Sequence, residues 1–340
     1  MFHPILVTGA SGGTQGSTGR RVASLLMEQG IPVRAFVHNL DSRSDELRKQ
    51  GAEVVEGDLL SPASVQAAMR NIERAYFTYP VAEGLLEAAT IFATAARDAG
   101  LELVVNNSQL QGTPGDSAYR DLQRAPSFRN LQHRLADRIF DWAQVRAVHL
   151  QAPPSNEDIA RVATAVLMDP ARHAGKSYRP TGPELVGAED MAKAIGRAVG
   201  RSVRAVPTPT WLFMKAARTA GLPIDLINNL RYYLDDHRRG AFELSAPTTD
   251  VLDVTGRSPE DFETIARRYA ALPRNRRTFG NWLRQFAQLM IAPLSPGFNF
   301  DRYDRELRRP FPSEPQFASE SKLWRREHGM TDPARRAASV

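Results

Sequence analysis

The residues best suited to chemistry lie near the start of the chain, in Thr8-Gly9-Ala10-Ser11-Gly12-Gly13-Thr14-Gln15-Gly16-Ser17-Thr18-Gly19. Glycines at this density let a backbone turn sharply and approach a phosphate. The periodic segment that follows, Arg20 to Gln29, offers the unpaired N–H groups and partial positive charge of a helix start. An apolar run, Pro4 to Thr8, feeds the turn. Strand, glycine turn and helix in this order bind the pyrophosphate of a dinucleotide. The glycines form overlapping series, Gly9/Gly12 and Gly13/Gly16/Gly19. Gly9 is expected to start the turn and Gly19 to pack the helix on the sheet. A second chemistry is absent. A lysine four residues after a tyrosine on a helix would lie beside the phenol and lower its pKa for proton exchange, and none of Tyr76, Tyr79, Tyr119, Tyr178, Tyr232, Tyr233, Tyr269 and Tyr303 has one.

The elements that would hold this turn are legible in the pattern. Further strands are expected at 31–37, 52–58, 74–79 and 101–107, with helices between them such as 61–71 and 83–99. Strands alternating with helices give an α/β fold, a doubly wound parallel sheet of Rossmann-like type, whose ligands sit at the carboxyl ends of the strands. The expected organisation is a nucleotide-binding domain over 1–150, a smaller α/β lobe over 151–272 and a basic extension over 273–340. The lobe is read as helices at 156–167, 188–199, 211–220 and 224–239, with a short strand and turn at 178–185 and a strand at 203–206. In the extension, Trp282, Leu283, Phe286, Leu289, Met290 and Ile291 recur at helical spacing; self-docking of such a helix is expected, ahead of a dimer seam or contact with anionic lipid.

Bulk properties narrow the classes. The 340 residues suffice for a large core plus an appendage. Cysteine is absent, which excludes disulfide and thiol chemistry and is compatible with a reducing cytoplasm. No signal-peptide pattern opens the chain and no apolar run is long enough to span a bilayer, so a soluble cytoplasmic protein is expected. The net charge is +6, but residues 1–150 carry 15 Lys+Arg against 16 Asp+Glu and residues 151–271 carry 16 against 15. The excess lies in 272–340, with 13 against 7. No basic groove forms on the body, and no nucleic-acid partner is expected.

The segments Val7-Thr8-Gly9-Ala10-Ser11-Gly12, Thr18-Gly19-Arg20-Arg21-Val22 and Val55-Glu56-Gly57-Asp58-Leu59 resemble the NmrA-like family of atypical short-chain dehydrogenases/reductases. Matches continue at Ala99-Gly100, Asp158-Ile159-Ala160, Tyr178 to Glu184 and Thr255-Gly256-Arg257-Ser258-Pro259, over roughly residues 4–272. The resemblance implies NAD(P)H binding, with members acting as reductases of quinone-like substrates or as redox sensors without turnover. It puts Asp58 and Leu59 beside the adenine, although Asp58 would serve equally as a turn carboxylate before Ser61. It sets His133 at or beside the missing lysine, Arg129 where the tyrosine would be, and Ser108 at the usual serine. A histidine can donate a proton near neutrality, or simply sit on a helix face. Two departures stand out. The glycine turn is longer by about four residues, and some thirty residues that the family has after Leu150 are missing, which removes part of the pocket wall.

The expected second strand ends in His38-Asn39, with no carboxylate before Asp41 and with Arg43 close by. An acid there would repel a 2′-phosphate, so NADPH is preferred and NAD remains possible. His38 either meets that phosphate or is a solvated loop residue; Tyr79 either borders the nicotinamide or packs. The reading is an NAD(P)H-dependent reductase of a small-molecule electron acceptor. The alternative is an NAD(P) redox sensor acting on a regulatory protein partner. A homodimer is compatible with both.

Overall fold

Runs rich in Val, Ile, Leu, Ala and Phe pair edge to edge here, all in one direction, as expected of strands covered on both faces. The structure is a computed structural model and describes residues 3–12, 18–80, 82–109, 128–152, 155–238, 242–243, 246–276, 278–307 and 326–327. In chain order its first elements are β1 (Ile5–Thr8), α1 (Thr18–Glu28), β2 (Val33–Val37), α2 (Ser42–Lys49), β3 (Glu53–Glu56), α3 (Pro62–Ala68), β4 (Arg74–Phe77), α4 (Leu85–Asp98) and β5 (Leu103–Gln109). There follow α5 (Phe128–Trp142), β6 (Ala147–Ala152), α6 (Asn156–Met168), the single turn α7 (Pro170–His173) and β7 (Ser177–Tyr178). The sheet is parallel in the order β3-β2-β1-β4-β5-β6-β7. The order turns back between β1 and β4, which opens a crevice at their carboxyl ends.

Two apolar layers cover the sheet. On one side Val22, Ala23 and Leu26 of α1 and Ile159, Val162, Ala163 and Val166 of α6 are buried against Ile5, Val7, Val105 and Val148. These positions recur at helical spacing, which is why both helices lie flat on the strands. On the other side Ala88, Ala89, Phe92, Ala93 and Ala96 of α4 pack with Phe77 and Phe140. The Phe77 ring lies 4.8 Å from Phe92 and 5.4 Å from Phe140.

The chain divides into two compact units. The first comprises the described residues of Met1–Leu110, Gln132–Glu184 and Pro247–Asp261. It holds the sheet and α11 (Asp250–Thr255), which packs on α6. The second comprises those of Gln111–Leu131, Leu185–Ala246 and Phe262–Val340. It contains α8 (Ala188–Val199), α9 (Thr210–Thr219), α10 (Ile224–Arg238), α12 (Phe262–Ala270), α13 (Phe279–Ile291) and α14 (Phe300–Glu306). Its small core joins Met214, Ala217, Ile227 and Phe300. Beside it the buried Asp304 carboxylate accepts from Asn228 (2.6 Å), Arg231 (2.9 Å) and the Tyr232 hydroxyl (3.0 Å).

Two expectations change. Residues 203–206 form no strand; their β-branched side chains find no neighbouring edge, and Arg204 to Val206 are exposed. The expected self-docking of the extension is only partial. α13 touches α9 and the Ala292–Leu294 turn, yet its apolar side chains stay exposed. Among the described residues no helix is long and apolar enough to cross a membrane.

Candidate nucleotide-binding and active site

Gly9 leaves β1 at φ +65° and Gly12 follows at φ +72°, a left-handed backbone that side chains disfavour. The Gly12 N–H closes the turn on the Gly9 carbonyl at 3.2 Å. Thr8 is buried and locks β1 to the end of β4: its hydroxyl donates to the Thr78 carbonyl (3.0 Å) and accepts from the Thr78 N–H (2.8 Å). Gly19, in the first turn of α1, lies so close that a Cβ there would overlap the Thr8 and Gly9 carbonyls. The helix start is thereby pressed against the strand end, beside the glycine turn, and first-turn N–H groups of a helix are the kind of group that holds an anion. Thr18 donates to Asn156 at 2.6 Å and Arg21 grips Glu157 at 2.8 and 3.0 Å, so α6 braces the same helix start. Ser11 is half-buried beside the turn. Gly13, Thr14, Gln15 and Gly16 lie outside the described residues.

Around this turn, His38 is exposed at the end of β2. A residue that sequence reasoning left in the background reaches the turn itself. The Arg43 guanidinium donates to the Gly12 carbonyl at 2.9 Å and pairs with Asp41. Asp41 is engaged twice, since it also caps α2 through the Arg43 and Ser44 N–H groups, and its hydrogen bond with Arg43 holds its carboxyl below the usual range. Asp58 accepts the Leu60 N–H at 2.9 Å, the turn-carboxylate geometry, while Leu59 packs on the α4-side core. The Tyr79 hydroxyl donates to the Glu83 carbonyl at 2.9 Å and its ring packs on the same core.

β5 and α5 bring polar groups together in the interior. His133 and Asp137 are one turn apart on α5, and both are largely buried. Asp137 accepts from the Ser108 hydroxyl at the end of β5 and from the Asn106 amide at 2.8 Å. The same amide reaches His149 Nδ1 on β6 at 3.1 Å, and His149 Nε2 lies 3.2 Å from Asp141. With Nε2 carrying the proton, every bond in this chain has a donor and an acceptor. Burial pushes the Asp137 carboxyl up to about 6, against the pull of His149, Ser108 and Asn106. Burial lowers His149, but Asp141 and Asp137 outweigh it and the imidazole ends above its ordinary value. No single stretch of sequence announces this cluster; its available signal was a carboxylate four residues after His133.

The cluster predicts a pH dependence. A carboxyl raised in the fold gives stability that is full below its unfolded value of about 3.8 and is lost as pH rises through about 6. That loss approaches roughly 3 kcal/mol by pH 7. Asp137→Asn keeps an acceptor for Asn106 without the charge. Urea midpoints are expected to be unchanged at pH 4 and higher than wild type at pH 7.5, by roughly 2 kcal/mol in stability. Equal midpoints at both pH values would remove the buried-charge account.

Residues 13–168 match the model of a family described as NAD(P)H-binding. An NAD(P)H azoreductase from Xenophilus azovorans is 27% identical over 297 residues, covering 78% of this chain and 98% of the relative. Two solved structures superpose with TM-scores of 0.63 at 18% identity, each covering 78% of this chain and 99% of its own. One is the Citrobacter sp. triphenylmethane reductase with NADP(H), the other an Escherichia coli NADPH-dependent quinone oxidoreductase with NADPH. The glycine turn, the strand order and these likenesses converge: residues 13–168 match a family described as NAD(P)H-binding, on a fold shared with the two reductase structures.

Proposed function

We propose that this protein is an NADPH-dependent reductase of a small, electron-poor organic acceptor of quinone or azo type, working in the cytoplasm. The observation that carries the reading is the crevice at the ends of β1 and β2. There the Gly9 turn and the start of α1 fit a pyrophosphate, and Arg43 stands at Gly12 with the nearest carboxylate already engaged. A basic group suits a 2′-phosphate, so NADPH is preferred over NADH. His38, exposed at the same strand end, is assigned to that phosphate as well, and Asp58, Leu59 and Tyr79 to the crevice walls. The named relatives are reductases of azo dyes, triphenylmethane dyes and quinones, which supports the acceptor class.

NADPH would supply the hydride; the protein's part is to bind, orient and protonate. We assign proton donation to buried His133 and assign Ser108, held by Asp137, to orient the acceptor. Quinone-type products also take a proton from water, so loss of His133 slows turnover without abolishing it. A second reading, a redox sensor that binds NADPH for a protein partner, is favoured by one observation: β6 ends at Ala152 and α6 begins at Asn156, a connection too short for a pocket wall.

Nucleotide titration followed by NADPH oxidation with a panel of quinones and azo dyes separates the readings. Binding with oxidation is expected, and Arg43→Ala should weaken NADPH by about tenfold, the worth of one charge-assisted hydrogen bond, and NADH by less, through the lost Gly12 contact. Binding without oxidation would turn the assignment to the sensor. No binding of either nucleotide would reject both.

A further inference from the structure

α13 is sharply two-faced. Phe279, Trp282, Leu283, Phe286, Leu289 and Met290 share one side, and each is between 48% and 76% exposed. Asn281, Arg284, Gln285 and Gln288 share the other. The aromatics form a continuous stack, with Trp282 5.9 Å from Phe279 and 5.5 Å from Phe286. Water is a costly neighbour for such a stripe, so something apolar belongs on it.

The charges around it decide what. From Thr264 to Phe300 the chain carries six arginines, at 267, 268, 274, 276, 277 and 284, and no aspartate or glutamate. A second copy set face to face would bring together two arginine-rich runs, and the Glu263 carboxylate at the edge of each already pairs with Arg267 and Arg197. An aromatic and leucine face flanked by arginines has the makeup of a helix lying in the plane of a membrane surface.

We infer that α13 docks this protein on an anionic lipid bilayer, its apolar face among the acyl chains and its arginines at the lipid phosphates. The helix is too short to span. It lies in the interface.

The test is flotation of the full-length protein with phosphatidylcholine vesicles, with and without phosphatidylglycerol. The protein is expected to float only with the anionic lipid and to be released by high salt. Trp282→Glu/Phe286→Glu should abolish flotation while NADPH titration is unchanged. Arg276→Gln/Arg284→Gln should weaken it by roughly fivefold per arginine. Absence of flotation on either vesicle, equal flotation on both, or a Trp282→Glu/Phe286→Glu protein that floats like wild type would overturn the proposal. A wild-type dimer that the same double variant turns into a monomer would overturn it too, and give the face to a second copy.

Discussion

Gly19→Ala is expected to destabilise the protein and to shift NADPH binding to higher concentration. Alanine in a helix is ordinarily favoured over glycine by about 1 kcal/mol. Here the added Cβ meets the Thr8 and Gly9 carbonyls, and backbone atoms at a strand end cannot rotate away as a side-chain tip can. Relief requires α1 to lift off β1, an overpacking cost of roughly 1–3 kcal/mol that outweighs the propensity gain. The displaced helix start is the group proposed to face the pyrophosphate. Gly280→Ala is the matched control. It sits in α13 with nothing within 4 Å of the added Cβ, so the same change should stabilise by roughly 0.5–1 kcal/mol. Urea unfolding at constant slope and fluorimetric NADPH titration read both. A Gly19→Ala protein as stable and as tightly binding as wild type would show that α1 does not press on the turn.

Asp158→Ala is expected to have the largest effect on stability. This carboxylate is wholly buried in the first turn of α6, where it complements the helix dipole. It accepts the Glu260 N–H at 2.9 Å and pairs with Arg161, which itself donates to the Ser258 carbonyl at 3.1 Å. Ser155 caps the helix through the Asp158 N–H and reaches Glu260 at 3.3 Å. One side chain therefore ties residues 258–260 to the start of α6. Truncation leaves a half-buried guanidinium with the Ser258 carbonyl but without its carboxylate, and a half-buried N–H without its acceptor, together worth about 2–4 kcal/mol. Asp158→Asn keeps one oxygen in place and should cost less than half as much. Because Asn156 on the same helix end holds Thr18, NADPH affinity should fall with stability in the alanine variant. A loss below about 1 kcal/mol would mean that the pairing is solvated.

Local signals carried most of the nucleotide crevice. The first five strands were legible because each is a short apolar run closed by a glycine or a polar turn, and Gly9 and Gly19 because no other residue tolerates those positions. β6 was not anticipated. Its run Ala147-Val148-His149-Leu150-Gln151-Ala152 alternates with period two, but two polar residues interrupt the apolar pattern. His149 is buried because Asn106, Asp137 and Asp141 meet its imidazole, and Gln151 accepts from Arg179; those partners come from other elements. The β-branched segment at 203–206 shows the reverse: strand composition without an edge to pair with.

The Arg43 contact was equally hidden. Thirty-one residues separate it from Gly12, and only the packing of β2 beside β1 closes that gap.

Periodicity, glycine placement and the missing lysine after each tyrosine are properties of neighbours along the chain, so the amino-acid sequence alone determined the doubly wound sheet, the nucleotide turn and the loss of the phenol–lysine dyad. Only the tertiary structure decided that Asp137 and His149 share one buried hydrogen-bond chain, that Asp158 fastens a distant loop, and that the apolar side of α13 is left uncovered. Each of these depends on which surfaces meet, and burial and charge pairing arise from such meetings rather than from the order of residues.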